Sequence, residues 1–586
     1  MPALSRYIRP FILVCAAAAV FGCERGNPGE REFDAIAKDF IAFYLETNPT
    51  IATSIGAHRY DDRLEDMSAE AVASYIGTCR RYADRLRALD LGSLSRDRAI
   101  DAWFLLQNIE LIVADLEEES SYTRNPQMYT EMLAGSIYGI LSQQASPLEE
   151  RLDRVANRLD GFPRLVEQAI ENLENPPKPR TEVAIDVTKG LIAFLDNDVL
   201  READRASRMR ERVRRSAVPA REALIRFQRF LEDDLLNRSF GDIRLGDASF
   251  RRRFALFLAT DMTPEMMVEA AYRELDAVHE RMFTLAAPLY ERISGAAIAP
   301  DPNFEERIRI ISTVLEDIAN DHPQPRRLLD ACEAAYADAE TFVRGRDLLT
   351  LPEAPLIIGE APPFLQATQV AAPAPPGPLD RDGNYYFMVS PVPDYFSAEE
   401  AERFMREYNS EMIRVVTIHE AMPGHYVQMA YANRSPSLVR SVFMNQAFCE
   451  GWAVYAQGLM VEEGFRGGDP RFALVADKYY LRVVINALLD SGMHRENMQE
   501  AEAVRLAVQE GFQESSEALV KWRRRVGIHP CHLSSYFVGA LEIRSIREDA
   551  KKQWGDRFTL REFHERLLSS GSIPPKCARE VLLGSD

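Results

Sequence analysis

The chain has 586 residues, 46% hydrophobic and 27% charged, an ordinary globular composition that is long enough to bury a large core and to form several lobes. Its 70 basic and 90 acidic residues leave a net charge of −20, which argues against a nucleic-acid partner. Beyond residue 23 no run is long and apolar enough to span a bilayer.

The chain opens on an export signal: Arg6 and Arg9 stand ahead of the apolar run from Phe11 to Phe21, and Gly22-Cys23 follows. This stretch resembles a bacterial lipoprotein signal, with an ordinary secretory signal as the alternative. The resemblance implies that Cys23 becomes the lipidated first residue, and several acyl chains on one residue anchor a protein stably. Glu24, rather than Asp, after the cysteine resembles the pattern of lipoproteins sorted to the outer membrane, facing the periplasm. Residues 1–23 are therefore expected to be a signal and residues 24–31 a tether. Five further cysteines, Cys79, Cys332, Cys449, Cys531 and Cys577, are irregularly spaced. An odd number without a C-x-x-C pair does not make a disulfide framework, and Cys449 is read as packing.

Helical periodicity dominates a lobe expected over residues 32–350. Stretches 32–46, 68–89, 97–118, 148–174, 181–202, 204–236 and 263–293 place apolar residues three or four apart with charges between them. The last opens on Thr263-Pro264-Glu265, a hydroxyl cap followed by Pro at the first helical position. These helices are expected to wall a deep groove. The Arg-rich run from Arg205 to Arg215 is read as a solvated helix face.

The texture changes over residues 351–396, where Pro352, Pro355, Pro362, Pro363, Pro373, Pro375, Pro376 and Pro378 rule out long helices. Pro355 to Ile358 and Tyr385 to Val389 have the apolar and aromatic character of strands, and Asp382-Gly383 marks a turn before the second. A small sheet is expected here, with an edge that could pair with an extended peptide.

Helices resume in a lobe over residues 397–586, where Ser397 to Glu400 has the cap and acidic first turn of a helix start. The run from Glu411 to Met422 carries the most informative string of the chain, His419-Glu420-Ala421-Met422-Pro423-Gly424-His425. In an H-E-x-x-H helix, two histidines four apart bind zinc and the Glu between them is the base. Here the second histidine comes six residues after the first. At about 100° per residue, a regular helix would turn it roughly 240° away. Pro423, however, must kink, bulge or end the helix, and Gly424 supplies backbone freedom, so two residues looped out would return His425 to the site.

Glu450 lies 25 residues beyond His425, enough for one helix to end and a second to present a carboxylate to the same ion. With His419 and His425 it makes a three-ligand set that leaves a fourth position for water, and Glu420 is placed as the base. Asp490 and His494 stand four apart, and Gly492 between them suggests a turn near a helix end. His494 is read as a partner behind the ligands, a substrate contact, a replacement ligand or a structural histidine, with Asp490 beside it.

The strings from His419 to His425, Glu450 to Ala453, Asp490 to His494 and Pro530 to Gly539, and the opening segment from Asn48 to Asp61, resemble the bacterial domain of unknown function 885 family, which has lipoprotein members. That family in turn resembles gluzincin zinc metallopeptidases of the helical, groove-bearing kind. The resemblance implies a mainly α, gluzincin-like fold with a small β-sheet next to the active site. It further implies Tyr536 as a donor to the oxyanion and Arg525 as a clamp on a substrate carboxylate. His532 stands where the family pattern has Gln.

The expectation is thus a Zn²⁺-dependent peptidase of the envelope, anchored to the membrane only by its lipid, with Glu420, Tyr536 and Arg525 acting on short peptides. Two alternatives stay open: a non-catalytic lipoprotein that binds a peptide or scaffold partner in a peptidase-like cleft, and a metal-dependent amidase or esterase.

Overall fold

The computed structural model describes residues 27–584 except 144–145, 367–369, 381–382, 394 and 528. Cys23 and Asp382 lie outside the described residues. The expected tether is shorter than its spacing suggested, because Asn27 accepts the Gly29 amide at 3.0 Å and Pro28 stands at the first helical position. Helix Pro28–Thr47 therefore begins inside it.

The chain is mainly helical with one small sheet. Helix starts follow local chemistry. Thr263 Oγ1 accepts the Met266 amide at 3.3 Å, Pro264 follows, and the helix Pro264–Ser294 closes at Gly295 with φ +68°, a left-handed residue that favours glycine. Ser397 and Glu400 cap each other's amides at the head of Ala398–Glu407.

Two expected helices are broken up. The stretch 181–202 begins at Lys178 and passes through a π-turn at Leu195–Val199. The stretch 204–236 forms a helix only from Arg210 to Arg229, then a π-turn and a 3₁₀ turn. Within the Arg-rich run, Arg205, Arg210 and Arg214 pair with Glu202 and Asp204 at the surface. Helices Pro126–Ser142, Asp247–Leu258, Phe304–Ala319 and Leu328–Gly345 join those that the periodicity singled out.

The apolar residues collect in two main clusters. One gathers Tyr129, Leu159, Phe162, Leu191, Leu224 and Phe227 from helices between residues 126 and 235. The larger one runs from Phe33 and Phe40 to Trp452, Phe537 and Phe563, so the first helices of the chain pack with the last. No helix among the described residues is long and apolar enough to cross a membrane. Cys79, Cys332, Cys449, Cys531 and Cys577 are free and buried.

The sheet has the order β1 (Leu356–Glu360), β3 (Tyr385–Val389), β2 (Ala371–Ala374). β1 runs parallel to β3 from Leu356 opposite Tyr385, and β2 runs antiparallel from Ala371 opposite Val389. β2 carries Pro373, which lacks an amide donor and is tolerated because the strand is an edge. It packs on the helix Ser410–Glu420, so the sheet lies beside the histidine string.

Candidate metal centre

The helix Ser410–Glu420 starts at Asn409, whose side chain accepts the amides of Glu411 and Met412 at 3.2 and 3.1 Å. It delivers His419 and Glu420 in its last turn and stops there. Ala421 leaves helical geometry at φ −123° and ψ −82°, and Met422-Pro423 is a cis peptide bond. Gly424 then folds back so that its amide donates to the Ile418 carbonyl at 3.0 Å, and a new helix, His425–Ala432, begins at once. A Cβ on Gly424 would stand 1.9 Å from the His419 carbonyl oxygen, so no other residue fits this turn.

The reversal brings His425 back to His419, with ring centroids 4.9 Å apart and planes at 88°. Glu450 comes from the helix Gln446–Glu462. The indole of Trp452, on the same helix, donates to the Pro423 carbonyl at 2.9 Å and ties that helix to the turn. Behind it, the helix His532–Trp554 crosses at backbone contact. A Cβ on Gly451 would lie 2.3 Å from the Gly539 carbonyl carbon, and one on Gly539 would lie 1.7 Å from the Ala447 oxygen. The glycines of the Glu450 and Pro530 strings thus set how closely the two helices approach.

Glu450 Oε2 lies 3.4 Å from His419 Nε2 and 3.3 Å from His425 Nε2. One donor atom from each of the three residues falls within 4.8 Å of the others. His419, His425 and Glu450 are only 2%, 5% and 8% exposed. These are not aligned hydrogen bonds, since Glu450 Oε2 is buried without a donor, and Nδ1 of each histidine is also without a partner. Four ligands at about 2.0–2.1 Å in a tetrahedron stand about 3.3–3.4 Å from one another, and the two separations from Glu450 match that spacing. Burial alone would raise the Glu450 carboxyl, but the charges of His425 and His419 outweigh it and hold it well below the usual range. Glu420 goes the other way: burial first, then the charge of Glu450, raises its carboxyl above the usual value despite the two histidines.

Tyr536 stands in the first turns of His532–Trp554, half-buried, with its ring parallel to that of His419 at 5.9 Å and 9°. His532 meets it edge-on at 5.5 Å. Arg525 lies on the π-turn Trp522–Val526, and its side chain is outside the described residues.

Asp490 and His494 are placed away from the donor set. They share the helix Pro470–Arg495, which runs straight through Gly492; the expected turn is absent, and the glycine instead leaves room for Met498, whose Cε would lie 2.6 Å from an added Cβ. Asp490 caps the Tyr536 helix, accepting from the amides of Cys531 and Ser534 at 3.1 and 3.2 Å and from Ser534 Oγ at 2.6 Å. Both nitrogens of His494 are engaged: Nε2 donates to the Val526 carbonyl at 3.1 Å, and Nδ1 accepts the Leu245 amide at 3.4 Å. Its ring stacks on Phe250 at 5.7 Å. Burial pushes His494 down to about 4, so it is a neutral structural histidine.

Tyr479 is the group that sequence reasoning missed. It sits half-buried on the helix Pro470–Arg495, its ring 5.7 Å from that of His419 and under the Arg482 guanidinium at 5.7 Å. Burial, then the charge of Glu420, holds its phenol protonated well above the usual range. No local spacing marks it, because only the packing of two helices brings it to His419.

No curated protein matches the chain. Solved structures resemble it, among them two described as lipoproteins. One, described as a "putative lipoprotein of unknown function" from Shewanella oneidensis, is 29% identical over 94% of this chain and 99% of its own, with a TM-score of 0.76. The other, described as a "putative lipoprotein" from Colwellia psychrerythraea, shares the fold at 15% identity and a TM-score of 0.78, over 94% of this chain and 98% of its own. The model of the family described as bacterial protein of unknown function (DUF885) matches residues 49–582, and the chain belongs to that family.

Proposed function

We propose that the chain is a zinc-dependent hydrolase of amide bonds in short peptides, with a gluzincin-like arrangement of residues, held on the periplasmic side of the bacterial outer membrane by a lipid on Cys23. The observation that carries the reading is that Glu450 Oε2 lies 3.4 Å from His419 Nε2 and 3.3 Å from His425 Nε2 in a buried site, with donor atoms of all three within 4.8 Å of one another and the Glu450 oxygen left without a hydrogen-bond donor. These three residues would hold the ion. When bound, zinc supplies Lewis-acid activation of a water and of the scissile carbonyl.

The remaining steps belong to the protein. Glu420 takes the proton of the attacking water and returns it to the departing amine. Its raised affinity for a proton, caused mainly by burial, suits the second of those roles. Tyr536 offers a phenolic donor where negative charge develops on the carbonyl oxygen, a contribution typically worth about 10² to 10³ in rate. Arg525 keeps its role as a carboxylate clamp on the strength of sequence alone. The anchor is supported by the Arg6 to Cys23 pattern and by the description of the two structural relatives as lipoproteins.

The test is hydrolysis of a mixed peptide library by the zinc-loaded protein and by Glu420→Gln. The reading predicts cleavage that falls at least about 10²-fold in the variant. Cleavage of small esters with every peptide intact would favour the amidase or esterase alternative, and binding without cleavage of either would favour the non-catalytic one.

A further inference from the structure

Asn27, the cap of the helix Pro28–Thr47, stands four residues after Cys23. Even fully extended, that interval reaches only about 14 Å, so a lipid on Cys23 holds the surface around Asn27 close to the bilayer. Asn27 is built into this surface. Its side-chain amide donates to the Ser93 carbonyl, and the Ser95 amide donates to Glu30 Oε1 at 3.2 Å. The turn Leu91–Ser93 therefore lies beside the cap, with the Leu91 side chain exposed. The helix Arg96–Glu117 starts at Ser95, and Arg98 in its first turn meets Asp34 of the first helix at 3.0 Å.

That same turn walls a cavity of about 520 Å³. At its base the buried Arg440 and Asp101 meet at 2.6 Å, and Ser437 donates to the second Asp101 oxygen at 2.7 Å. Asp97, Arg98 and Arg566 stand around them with their charged ends in part exposed, and Val581 and Leu582 add a half-buried apolar wall. Leu438, next to Ser437, is a second exposed apolar side chain, on the short helix Leu438–Val442 that packs on the first helix. Arg98 and Arg566 pair with Asp34 and Glu562 at the surface, where such pairs yield readily to a phosphate that accepts two parallel hydrogen bonds. The chain as a whole carries a net charge of −20, which repels an anionic surface and leaves a zwitterionic one as the partner.

Resting on the lipid anchor of the reading above and not on its chemistry, we propose that this face is docked on the bilayer, with Leu91 entering the interface and the cavity receiving the headgroup of a zwitterionic phospholipid. The phosphate lies against Arg98 and Arg566, and the ammonium against Asp97. Contact with the membrane then extends beyond the lipid on Cys23 to the folded chain itself.

The experiment uses the full mature chain, isolated from membranes and reconstituted into vesicles of phosphatidylcholine and phosphatidylethanolamine that carry a headgroup-linked quencher. Cys79, Cys332, Cys449, Cys531 and Cys577 are buried, so a thiol dye is directed to Leu91→Cys or, in a second protein, to Val218→Cys, an exposed position on the helix Arg210–Arg229. Quenching is expected to be at least about 5-fold stronger at position 91 than at position 218. The ratio is expected to fall by about half or more when Arg98→Glu and Arg566→Glu are added, with helical circular dichroism retained, and again on vesicles of phosphatidylglycerol. Equal quenching at the two positions would overturn the docked face. A ratio unchanged by the two charge reversals, or higher on phosphatidylglycerol, would overturn the headgroup assignment. The mass of the N-terminal peptide separates the premise from the proposal: an unmodified Cys23 would overturn the anchor, whereas a lipidated Cys23 with equal quenching would overturn the docking alone.

Discussion

The indole of Trp452 donates to the carbonyl of Pro423 at 2.9 Å, and this one bond fastens the helix that presents Glu450 to the turn that returns His425 to His419. Both groups are buried, so the bond cannot be replaced by water without a shift in one of the two elements. Trp452→Phe keeps an aromatic ring but leaves the carbonyl without its donor. The expected outcome is a loss of about 1–3 kcal/mol in stability and about 10- to 100-fold in zinc affinity. Chelator competition and urea unfolding measure the two, and zinc affinity equal to wild type would show that the turn holds its shape without the indole.

The turn itself depends on Gly424. Because an added Cβ would stand 1.9 Å from the His419 carbonyl oxygen, Gly424→Ala must push the His425 helix away from its neighbour. The variant is expected to keep its helical circular dichroism while its zinc affinity falls by about 10²-fold or more. A variant that binds zinc normally would mean that His425 needs no such turn to reach the ion.

Gly539 makes a comparable prediction for the helix pair that positions Glu450 and Tyr536. Its added Cβ would lie 1.7 Å from the backbone oxygen of Ala447, and backbone cannot rotate aside as a side chain can. Gly539→Ala is expected to cost about 3 kcal/mol or more, at the upper end for overpacking a core. Thermal unfolding gives the answer, and a change below about 0.5 kcal/mol would contradict the close crossing.

Some of this centre could be read from the chain because its causes are local. Pro423 and Gly424 stand in the interval that a helix would otherwise fill, so an ended helix and a returned His425 follow from backbone chemistry alone. Glu450 could be placed because the 25 residues after His425 let one helix end and a second present its carboxylate, and the caps at Thr263 and Ser397 use a few consecutive residues. The remainder depends on contacts between distant elements. Tyr479 looks like any aromatic on a long helix until that helix packs on Ser410–Glu420. Asp490 and His494 have the spacing of a metal pair, yet their partners are the amides of Cys531 and Ser534, the Leu245 amide and the Val526 carbonyl. Gly451 and Gly539 acquire meaning only where two helices cross. β2 escaped notice because Pro373 argues against a strand until the strand is known to be an edge.

A pH effect separates from the metal centre at His564, which is buried between the Tyr455 hydroxyl at 2.8 Å and the Leu348 carbonyl at 2.8 Å. Burial pushes its pKa down to about 4 from the ordinary 6.5. The unfolded chain therefore takes up a proton below pH 6.5 that the folded chain refuses until about pH 4, and stability falls as the pH falls through that window. Between pH 7 and pH 5 this group alone accounts for about 2 kcal/mol. Urea unfolding of His564→Gln at both pH values is expected to show a lower stability at pH 7 but a correspondingly smaller loss on going to pH 5. An equal loss in both proteins would contradict the assignment.

The central claim is that His419, His425 and Glu450 form one metal site despite the six-residue histidine spacing. The most direct measurement is zinc content and affinity of the purified mature chain beside His425→Ala. One zinc per chain in the wild type and in Glu420→Gln is predicted, with affinity lowered by about 10³-fold or more in His419→Ala, His425→Ala and Glu450→Ala. A wild-type chain that binds no stoichiometric zinc, or a His425→Ala chain that binds it unchanged, would contradict the account.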